Sequence, residues 1–431
     1  MSSEKPVLQL ALDFIDLPRA LRVAEEAVAG GVDWIEVGTP LIKSEGLNAV
    51  RIFRKKFPDK TIVADMKIMD VGSVEVQMAA EAGADVVVIL GTADDSTIQE
   101  GVETGIRYGA KIMIDLINVE NMITRSTQLE RLGVDYVCVH VGIDQQMRGV
   151  NPLEVLAKVV EAVNIPVAVA GGINSESAAK AVEAGAKVVI VGGAITKAED
   201  PEKATITIKK TIYTRLSITT RLHKKYYTED LHNAYMKVST PNISDALQRK
   251  GEMTGIRPLI EGVKVAGRAL TVRTYPGDWA KPVEAIDIAE PGDIIVIEAV
   301  GDKAVWGELA TQSCMQKKVR GVVIDGAIRD VEAIKTLKFP AFARHITPTA
   351  GDPKGFGEIN IEINCGGQKV KPGDWIIADD NGVIVVPKEI ALDTANRALD
   401  VLERENRIRE EIKQGSTLSK VLQLKKWEKI G

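Results

Sequence analysis

The first half of the chain repeats one short pattern, a helical stretch that ends in glycine immediately before a β-branched run. A glycine at this place suits a helix that must turn back into a sheet, because the turn needs a left-handed backbone conformation. The pattern recurs at residues 27–33, 80–85, 132–135 and 183–187. It predicts a fold of the α/β class, in which parallel strands alternate with helices.

Eight β-branched runs lie between Val7 and Lys210, each followed by an amphipathic stretch. Eight such units in about 205 residues, with no proline inside a strand, predict a small (β/α)8 TIM barrel. A doubly wound open sheet would alternate in a similar way, but the chain lacks its phosphate-binding G-x-G-x-x-G sequence, which favours closure. We expect the strands to end near Asp13, Val37, Met66, Leu90, Asp115, His140, Ala170 and Val191.

The length of the chain, 431 residues, exceeds what one ordinary core accommodates, so we expect two domains. We assign residues 1–211 to the barrel and 212–234 to a linker with some helix. Residues 235–389 are assigned to a smaller mixed α/β domain of the swivelling β/α type, and 390–431 to a charged helical tail.

Polar side chains follow the predicted barrel strands, at the end where barrel enzymes place their chemistry. Asp65, Lys67 and Asp70 form a D-x-K-x-x-D sequence at the third strand. Residues two apart on an extended strand point the same way, so we expect Asp65 and Lys67 on one face and Asp70 beyond the strand. Taken alone, this sequence also fits an ion-pair cluster. The other polar strand ends, which favour an active site, are Asp13, Glu36, Asp115 and His140.

A fixed ammonium beside carboxylates, as Lys67 would provide, suits a reaction that develops negative charge on an enolate oxygen. Two glycine pairs, Gly171 with Gly172 and Gly192 with Gly193, follow the last two strands. Each pair alone is more often a tight turn. Together they predict a phosphorylated substrate, because backbone N–H groups freed of side chains can surround a phosphate.

Composition excludes several classes of function. The net charge of −5 gives no bulk attraction to nucleic acid or to an anionic membrane. No apolar run approaches the ~18 residues of a membrane span. Three distant cysteines suggest neither a disulfide framework nor a zinc site, and a reducing cytoplasm is the expected location.

Seven segments of the first domain, in order, resemble the 3-hexulose-6-phosphate synthase family of the orotidine-5′-phosphate decarboxylase superfamily. They are residues 11–13, 35–43, 64–70, 90–98, 140–144, 169–172 and 191–195. The resemblance implies an enzyme that joins formaldehyde reversibly to ribulose 5-phosphate and needs Mg²⁺, with Mn²⁺ as a substitute.

The resemblance also implies roles for individual residues. Glu36 and Asp65 would hold the metal, and the metal would acidify the C1 proton of ribulose 5-phosphate. His140 is the candidate base, with a buried structural histidine as the alternative. Lys67 would stabilise the enediolate, and Asp13 would orient Lys67 or a substrate hydroxyl.

In this superfamily the aspartate that matches Asp70 reaches into the partner's site, which implies a homodimer with shared active sites. A phosphosugar decarboxylase acting on 3-keto-gulonate 6-phosphate is the alternative activity. Such decarboxylases tend to carry arginine near Gly193, where this chain has glycine followed by alanine, and orotidylate decarboxylases usually carry lysine at Glu36.

Three segments of the second domain, residues 307–311, 325–330 and 339–344, resemble a different family. That family contains the regulator of ribonuclease E activity A and 4-hydroxy-4-methyl-2-oxoglutarate aldolase. It implies a second-domain site of Glu308, Arg329 and Asp330, in which Arg329 clamps a pyruvate enolate and Asp330 holds a divalent metal.

The second-domain sequence departs from the aldolases at one position. They typically carry an acid three residues after the aspartate, where this chain has Ala333. Two hypotheses stay open: a bifunctional enzyme, or a synthase whose second domain is a non-catalytic module for assembly or for a protein partner.

Overall fold

The computed structural model describes residues 5–149, 151–220, 225–226, 228–422 and 424. The chain divides into two compact units, residues 1–225 together with 403–431, and residues 226–402. From the sequence we expected boundaries between segments after residues 211, 234 and 389. Parts of the expected segments lie outside the described residues: 1–4 and 150 of the barrel, 221–224 and 227 of the linker, and 423 and 425–431 of the tail.

The first unit is a closed barrel of eight parallel strands, in chain order around the ring, which confirms the predicted architecture. Six strands end at the expected residue, and the first and third end at Leu12 and Ile68. The strands are β1 (Val7–Leu12), β2 (Trp34–Val37), β3 (Thr61–Ile68), β4 (Val86–Leu90), β5 (Lys111–Asp115), β6 (Tyr136–His140), β7 (Val167–Ala170) and β8 (Val188–Val191).

The repeated glycines turn the chain from helix into strand as expected. Gly31, Gly83, Gly133 and Gly185 have φ between 83° and 102°, a left-handed region that other residues enter at a cost. The helices of the first unit are α1 (Leu17–Ala29), α2 (Thr39–Glu45), α3 (Asn48–Lys56), α4 (Gly72–Glu81), α5 (Asp95–Tyr108), α6 (Met122–Arg131), α7 (Ile143–Met147), α8 (Leu153–Ala162), α9 (Ser177–Glu183), α10 (Gly193–Thr196) and α11 (Pro201–Thr214).

Alternation along the strands decides which side chains face the barrel interior. In β1, Leu8, Leu10 and Leu12 pack outward into the layer of helices. Residues of the opposite parity, such as Ala11, belong to a second apolar cluster inside the ring. Gln9 shares that parity, so a polar side chain enters the barrel interior, where it is fully buried.

The second unit is built on a mixed sheet in the order β18-β17-β10-β11-β12-β13-β9, with β14 paired to β10. Strands β10 to β13 run parallel and the outer pairs antiparallel. The strands are β9 (Arg257–Pro258), β10 (Val265–Thr274), β11 (Asp293–Glu298), β12 (Gly321–Ile328), β13 (Ala341–Ile346), β14 (Gly357–Ile359), β15 (Ile363–Cys365), β16 (Gln368–Val370), β17 (Trp375–Asp379) and β18 (Gly382–Val386).

The remaining helices are α12 (Leu231–Lys237), α13 (Thr240–Ala246), α14 (Ala280–Ile288), α15 (Glu308–Gln316), α16 (Val331–Leu337), α17 (Ala391–Lys413) and α18 (Leu418–Val421), with short 3-10 helices at Thr228–Asp230 and Lys388–Ile390. Within the described part of the chain, no helix is long and apolar enough to cross a membrane. The cysteines Cys138, Cys314 and Cys365 are free and buried.

The end of α17 belongs to the first unit, where buried ion pairs hold it. The Arg407 side chain is 5% exposed and lies 3.3 Å from both Glu26 of α1 and Glu411. Glu411 in turn accepts a hydrogen bond from Arg19 Nη2 at 2.9 Å. Charges so enclosed are expensive to leave unpaired, so the network fixes this turn of helix against α1.

Candidate active site

Lys67 lies at an irregularity near the end of β3. The pairing of β3 with β4 shifts register between Ala64 and Ile68, and Lys67 has a left-handed backbone with φ of 49°. We expected an extended strand to place Asp65 and Lys67 on one face. The two side chains do meet, but the backbone at Lys67 is not extended, so the stated reason is wrong. A β-bulge re-aims the side chain, and the bulge brings Lys67 Nζ to 3.0 Å from Asp65 Oδ2.

Two carboxylates hold the Lys67 ammonium. Its Nζ donates to Asp115 Oδ2 at 2.7 Å and lies 3.2 Å from Asp65 Oδ1. Burial alone would lower the pKa of Lys67, but the charges of Asp65 and Asp115 outweigh burial and raise that pKa. The side chain is 26% exposed, so a fixed positive charge reaches the barrel mouth at neutral pH.

Asp115 lies between Lys67 and His140. His140 Nδ1 lies 2.9 Å from Asp115 Oδ2, and Ile117 N donates to Asp115 Oδ1 at 2.9 Å. Burial opposes the charge of Asp115, yet His140 and Lys67 lower its pKa to about 2. With Nδ1 bound to this carboxylate, the Nε2 atom of His140 is left to act on a substrate.

A second cluster of carboxylates lies deeper in the barrel. Glu36 Oε2 accepts a hydrogen bond from Gln9 Nε2 at 2.5 Å, and Thr39 Oγ1 lies 2.8 Å from Asp65 Oδ2. Burial raises the pKa of Glu36 well above its ordinary value, and the nearby charges of Asp65 and Asp13 raise it further. Glu36 thus takes up a proton more readily than an exposed glutamate.

Asp13 lies at the rim of the same cluster. Its carboxylate closely overlies Gly38, where an added Cβ would lie 2.5 Å from Asp13 Oδ1. The side chain reaches solvent, yet the protein crowded around it raises its pKa, with a contribution from Asp65. Lys67 donates its hydrogen bonds to Asp65 and Asp115, and Asp13 interacts with it through charge.

The donors of the deeper cluster fit a hard divalent cation. The negative charge of Asp65 helps to raise the pKa of Glu36, and a bound cation would relieve this repulsion. In addition, Gln9 Oε1 is a buried oxygen with no hydrogen-bond donor among the described residues. Across the described ranges, no three His, Cys, Asp or Glu side chains are grouped to hold a metal. A Mg²⁺ ion bound at this cluster would take two carboxylates from this chain, with substrate and water completing its shell.

Asp70 stands apart from these side chains. It is exposed, and its Oδ1 accepts a hydrogen bond from Val71 N at 2.8 Å. The surface around it is apolar, since Met69, Val71 and Val74 are 51% to 53% exposed. An aspartate among exposed apolar side chains suits a surface that associates with another molecule.

The predicted glycines occupy the ends of β7 and β8. Gly171 and Gly172 have φ of 105° and 69°, and an added Cβ on Gly171 would lie 2.4 Å from Val141 O. Gly192 caps the start of α10, and Gly193 is its first residue. Both strand ends thus present backbone without side chains at the mouth of the barrel.

The three residues predicted for the second unit also come together. Glu308 N donates to Asp330 Oδ2 at 3.1 Å, and Arg329 Nε lies 3.6 Å from Asp330 Oδ2. Asp330 has φ of 58°, a conformation that costs free energy and is frequent at functional sites. Arg329 and Asp330 are 46% and 40% exposed, so the group is open to a ligand.

Gln9 and Thr39 were absent from the predicted site, and Asp115 was noted there only as a polar strand end. Asp115 could have been found from its place beside His140 in the same set of strand ends. Gln9 gives a weaker signal, a polar residue inside the otherwise apolar run Val7–Leu12. Thr39 gives none, because its hydroxyl meets Asp65 only through the curvature of the barrel.

Known proteins resemble the two units separately. The family model described as Orotidine 5'-phosphate decarboxylase / HUMPS family matches residues 6–208, and the one described as RraA-like, Aldolase/RraA, matches residues 240–385. A 3-hexulose-6-phosphate synthase of Bacillus subtilis is 41% identical over 206 residues, which cover 48% of this chain and 98% of that relative.

Two solved structures align with the same half. The 3-hexulose-6-phosphate synthase of Salmonella typhimurium is 39% identical, with a TM-score of 0.47, over 49% of this chain and 100% of that one. The 3-keto-L-gulonate-6-phosphate decarboxylase of Vibrio cholerae is 28% identical, with a TM-score of 0.46, over 49% of this chain and 100% of that one. The expected fusion of domains from two different families is confirmed by the two family matches.

Proposed function

The chain belongs, through its barrel, to the orotidine 5'-phosphate decarboxylase / HUMPS family, and on that premise we propose that it joins formaldehyde to D-ribulose 5-phosphate as a 3-hexulose-6-phosphate synthase. One observation carries the proposal. Asp115 binds Lys67 at 2.7 Å and His140 at 2.9 Å, so a single carboxylate positions both a cation and a base at the barrel mouth.

His140 is the proposed base. Asp115 accepts a hydrogen bond from the Nδ1–H group of His140, which leaves the lone pair on Nε2, and Nε2 removes a proton from C1 of ribulose 5-phosphate. The electrons of the broken C–H bond form an enediolate, and its negative charge develops on oxygen. The Lys67 ammonium, held without freedom to reorganise, stabilises that oxygen and lowers the barrier by a few kcal/mol.

Carbon–carbon bond formation completes the reaction. C1 of the enediolate attacks the carbonyl carbon of formaldehyde, and the formaldehyde oxygen takes the proton back from His140 Nε2. The product is a 3-hexulose 6-phosphate, and the base is restored. Gly171, Gly172, Gly192 and Gly193 hold the phosphate through backbone N–H groups and keep C1 near His140.

A Mg²⁺ or Mn²⁺ ion held by Glu36 and Asp65 would polarise the substrate carbonyl and make the neighbouring C–H more acidic. The closeness of Glu36 and Asp65 supports this assignment: burial first and then the like charge of Asp65 raise the pKa of Glu36, and a cation would offset that repulsion. The apolar surface around Asp70 supports a homodimer in which Asp70 enters the site of the other protomer.

The test is transfer of ¹³C-formaldehyde by the full chain, followed by NMR of the sugar phosphate. We expect label at C1 of a hexulose phosphate that depends on ribulose 5-phosphate and Mg²⁺. His140→Gln should lower kcat by roughly 10²–10⁴, whereas His345→Gln, at an exposed position of β13, should have no effect. Release of CO₂ from 3-keto-gulonate 6-phosphate without any formaldehyde transfer would replace the proposal with the decarboxylase activity.

For the second unit we propose a separate anion site, in which Arg329 binds a small 2-oxo acid beside Asp330. The exposed Arg329 and the strained backbone of Asp330 support it. The full chain and its Arg329→Ala variant should be compared in the cleavage of oxaloacetate and of 4-hydroxy-4-methyl-2-oxoglutarate with Mg²⁺. Equal rates for the two proteins, or none for either, would favour a module for assembly or protein binding.

A further inference from the structure

The segment that leaves the barrel folds back onto it. Helix α11 ends at Thr214, and Arg215, with φ of 57°, turns the chain. The next five residues, Leu216–Thr220, are called the strap below. The family match ends at residue 208, and the Bacillus subtilis relative is covered to 98% by 206 residues of this chain. The strap lies beyond the end of the family match.

The strap binds the loop between β7 and α9 through four hydrogen bonds among the described residues. Ile218 N donates to Ser175 O at 3.1 Å, and Ser175 Oγ donates to Ile218 O at 2.8 Å. Ser217 Oγ donates to Glu176 O at 2.8 Å, and Thr220 N donates to Glu176 Oε1 at 2.9 Å. Ser175 and Ile218 each donate a hydrogen bond to the other, and together the hydrogen bonds hold the backbone of the loop at residues 175–176.

The bound loop is the one that carries Gly171 and Gly172. Asn174 and Ser175 are only 8% and 6% exposed although both are polar. Asn174 Oδ1 accepts from Glu176 N at 2.9 Å and from Ser177 N at 3.1 Å, which secures the far end of the loop to α9. The near end is two glycines, which restrict the backbone least. The hydrogen bonds at residues 175–176 therefore help to set the position of their N–H groups.

We infer that the strap is a positioning element for phosphate binding: by fixing Ser175 and Glu176, it holds the backbone N–H groups of Gly171 and Gly172 where the substrate phosphate binds. The inference rests on the proposed function, since it needs a phosphorylated substrate at the two glycines. The hydroxyls of Ser175 and Ser217 are both used in hydrogen bonds between the strap and the loop, so we expect them to act on the affinity for phosphate and not on the chemical step.

The experiment compares the full chain with a Ser175→Ala, Ser217→Ala double variant, which removes both hydroxyl donors between strap and loop. We expect the KM for ribulose 5-phosphate, and the inhibition constant of inorganic phosphate, to rise about tenfold. The kcat and the KM for formaldehyde should stay within about twofold. A second double variant, Ser175→Ala with Ser217→Thr, keeps a hydroxyl at residue 217. Its KM for ribulose 5-phosphate should lie between those of the wild type and the first double variant.

Thr219→Ala is the matched control, because the Thr219 hydroxyl makes no hydrogen bond among the described residues although it lies in the strap; its constants should match wild type. A double variant with an unchanged KM, or with a lower kcat at an unchanged KM, overturns the inference. A wild-type chain without formaldehyde transfer instead overturns the proposed function. Phosphate affinity, measured by titration calorimetry of both proteins, still decides the role of the strap in that case.

Discussion

Replacing Asp115 with asparagine tests the central arrangement of the site, because the change keeps the shape and removes the charge. An aspartate accepts from both neighbours: Lys67 Nζ at 2.7 Å and His140 Nδ1 at 2.9 Å. An asparagine offers one oxygen and one NH₂ group. If the oxygen stays with Lys67, the NH₂ group faces Nδ1, which must then accept, and the proton moves to Nε2.

That tautomer cannot remove the substrate proton. The same error of tautomer in other enzymes lowers kcat by about 10⁴, and we expect a fall of about 10³ for Asp115→Asn, or about 4 kcal/mol in the barrier. The assay is formaldehyde consumption at saturating ribulose 5-phosphate. Asp135→Asn is the matched control, since among the described residues Asp135 Oδ2 accepts from one backbone N–H, that of Ile112 at 2.8 Å, at the opposite end of the strands.

Stability gives a second readout for the same variant. The folded pKa of Asp115 is about 2 against an ordinary 3.8, so its ionised form contributes about 2 kcal/mol to folding. Because the pKa is lowered by folding, the contribution is complete above pH 4 and is lost as the pH falls through 2. The gap in unfolding free energy between wild type and variant should narrow over that window. A variant that keeps more than a tenth of kcat would refute the reasoning.

Three further perturbations address the rest of the site. Lys67→Ala should leave the fold intact, by circular dichroism, and lower kcat by ~10³, because a fixed charge on a developing oxyanion is worth a few kcal/mol; activity above a tenth of wild type would remove Lys67 from the mechanism. Glu36→Gln should weaken the Mg²⁺ dependence of activity, since a hard cation loses an anionic ligand, and an unchanged Mg²⁺ titration would contradict the assignment. Inactive Asp70→Ala and Lys67→Ala chains, when mixed, should regain up to about a quarter of wild-type activity in exchanged dimers; if mass spectrometry detects heterodimers without regained activity, Asp70 acts within its own chain.

The barrel could be predicted because its signals are local. Gly31, Gly83, Gly133 and Gly185 each follow a helix, and every one adopts the positive φ that the pattern requires. The strand ends were found because β-branched runs stop there. Local signals of this kind depend on a few neighbouring residues, which the sequence displays directly.

The detailed geometry of the site could not be predicted in the same way. Nothing near Lys67 indicates a bulge, because no glycine marks it and the register shift arises in the pairing with β4. Asp115 contacts both Lys67, 48 positions away in the chain, and His140, 25 positions away. These contacts depend on the curvature of the strands. Distances of this kind follow from closure of the ring and not from any short sequence.

The helical tail was interpreted from its charge alone. Arg407 and Glu411, four residues apart, have the spacing of an ordinary exposed pair on a helix. Their burial comes from Glu26 and Arg19, which lie 381 and 392 positions away in the chain. Residues distant in the chain thus bury an ion pair whose spacing is typical of an exposed helix surface. The periodicity of the tail sequence cannot indicate such partners.

That enclosed network also sets an order of events during synthesis. The barrel strands leave the ribosome first, but the helix turn with Arg407 follows β18 of the second unit. At roughly 5–20 residues per second, the nascent barrel waits on the order of ten to forty seconds before Arg407 reaches Glu26. For that interval Glu26 and Arg19 of α1 lack the partners that they have in the finished fold, so the first unit is the first to begin folding and the last to complete its ion pairs.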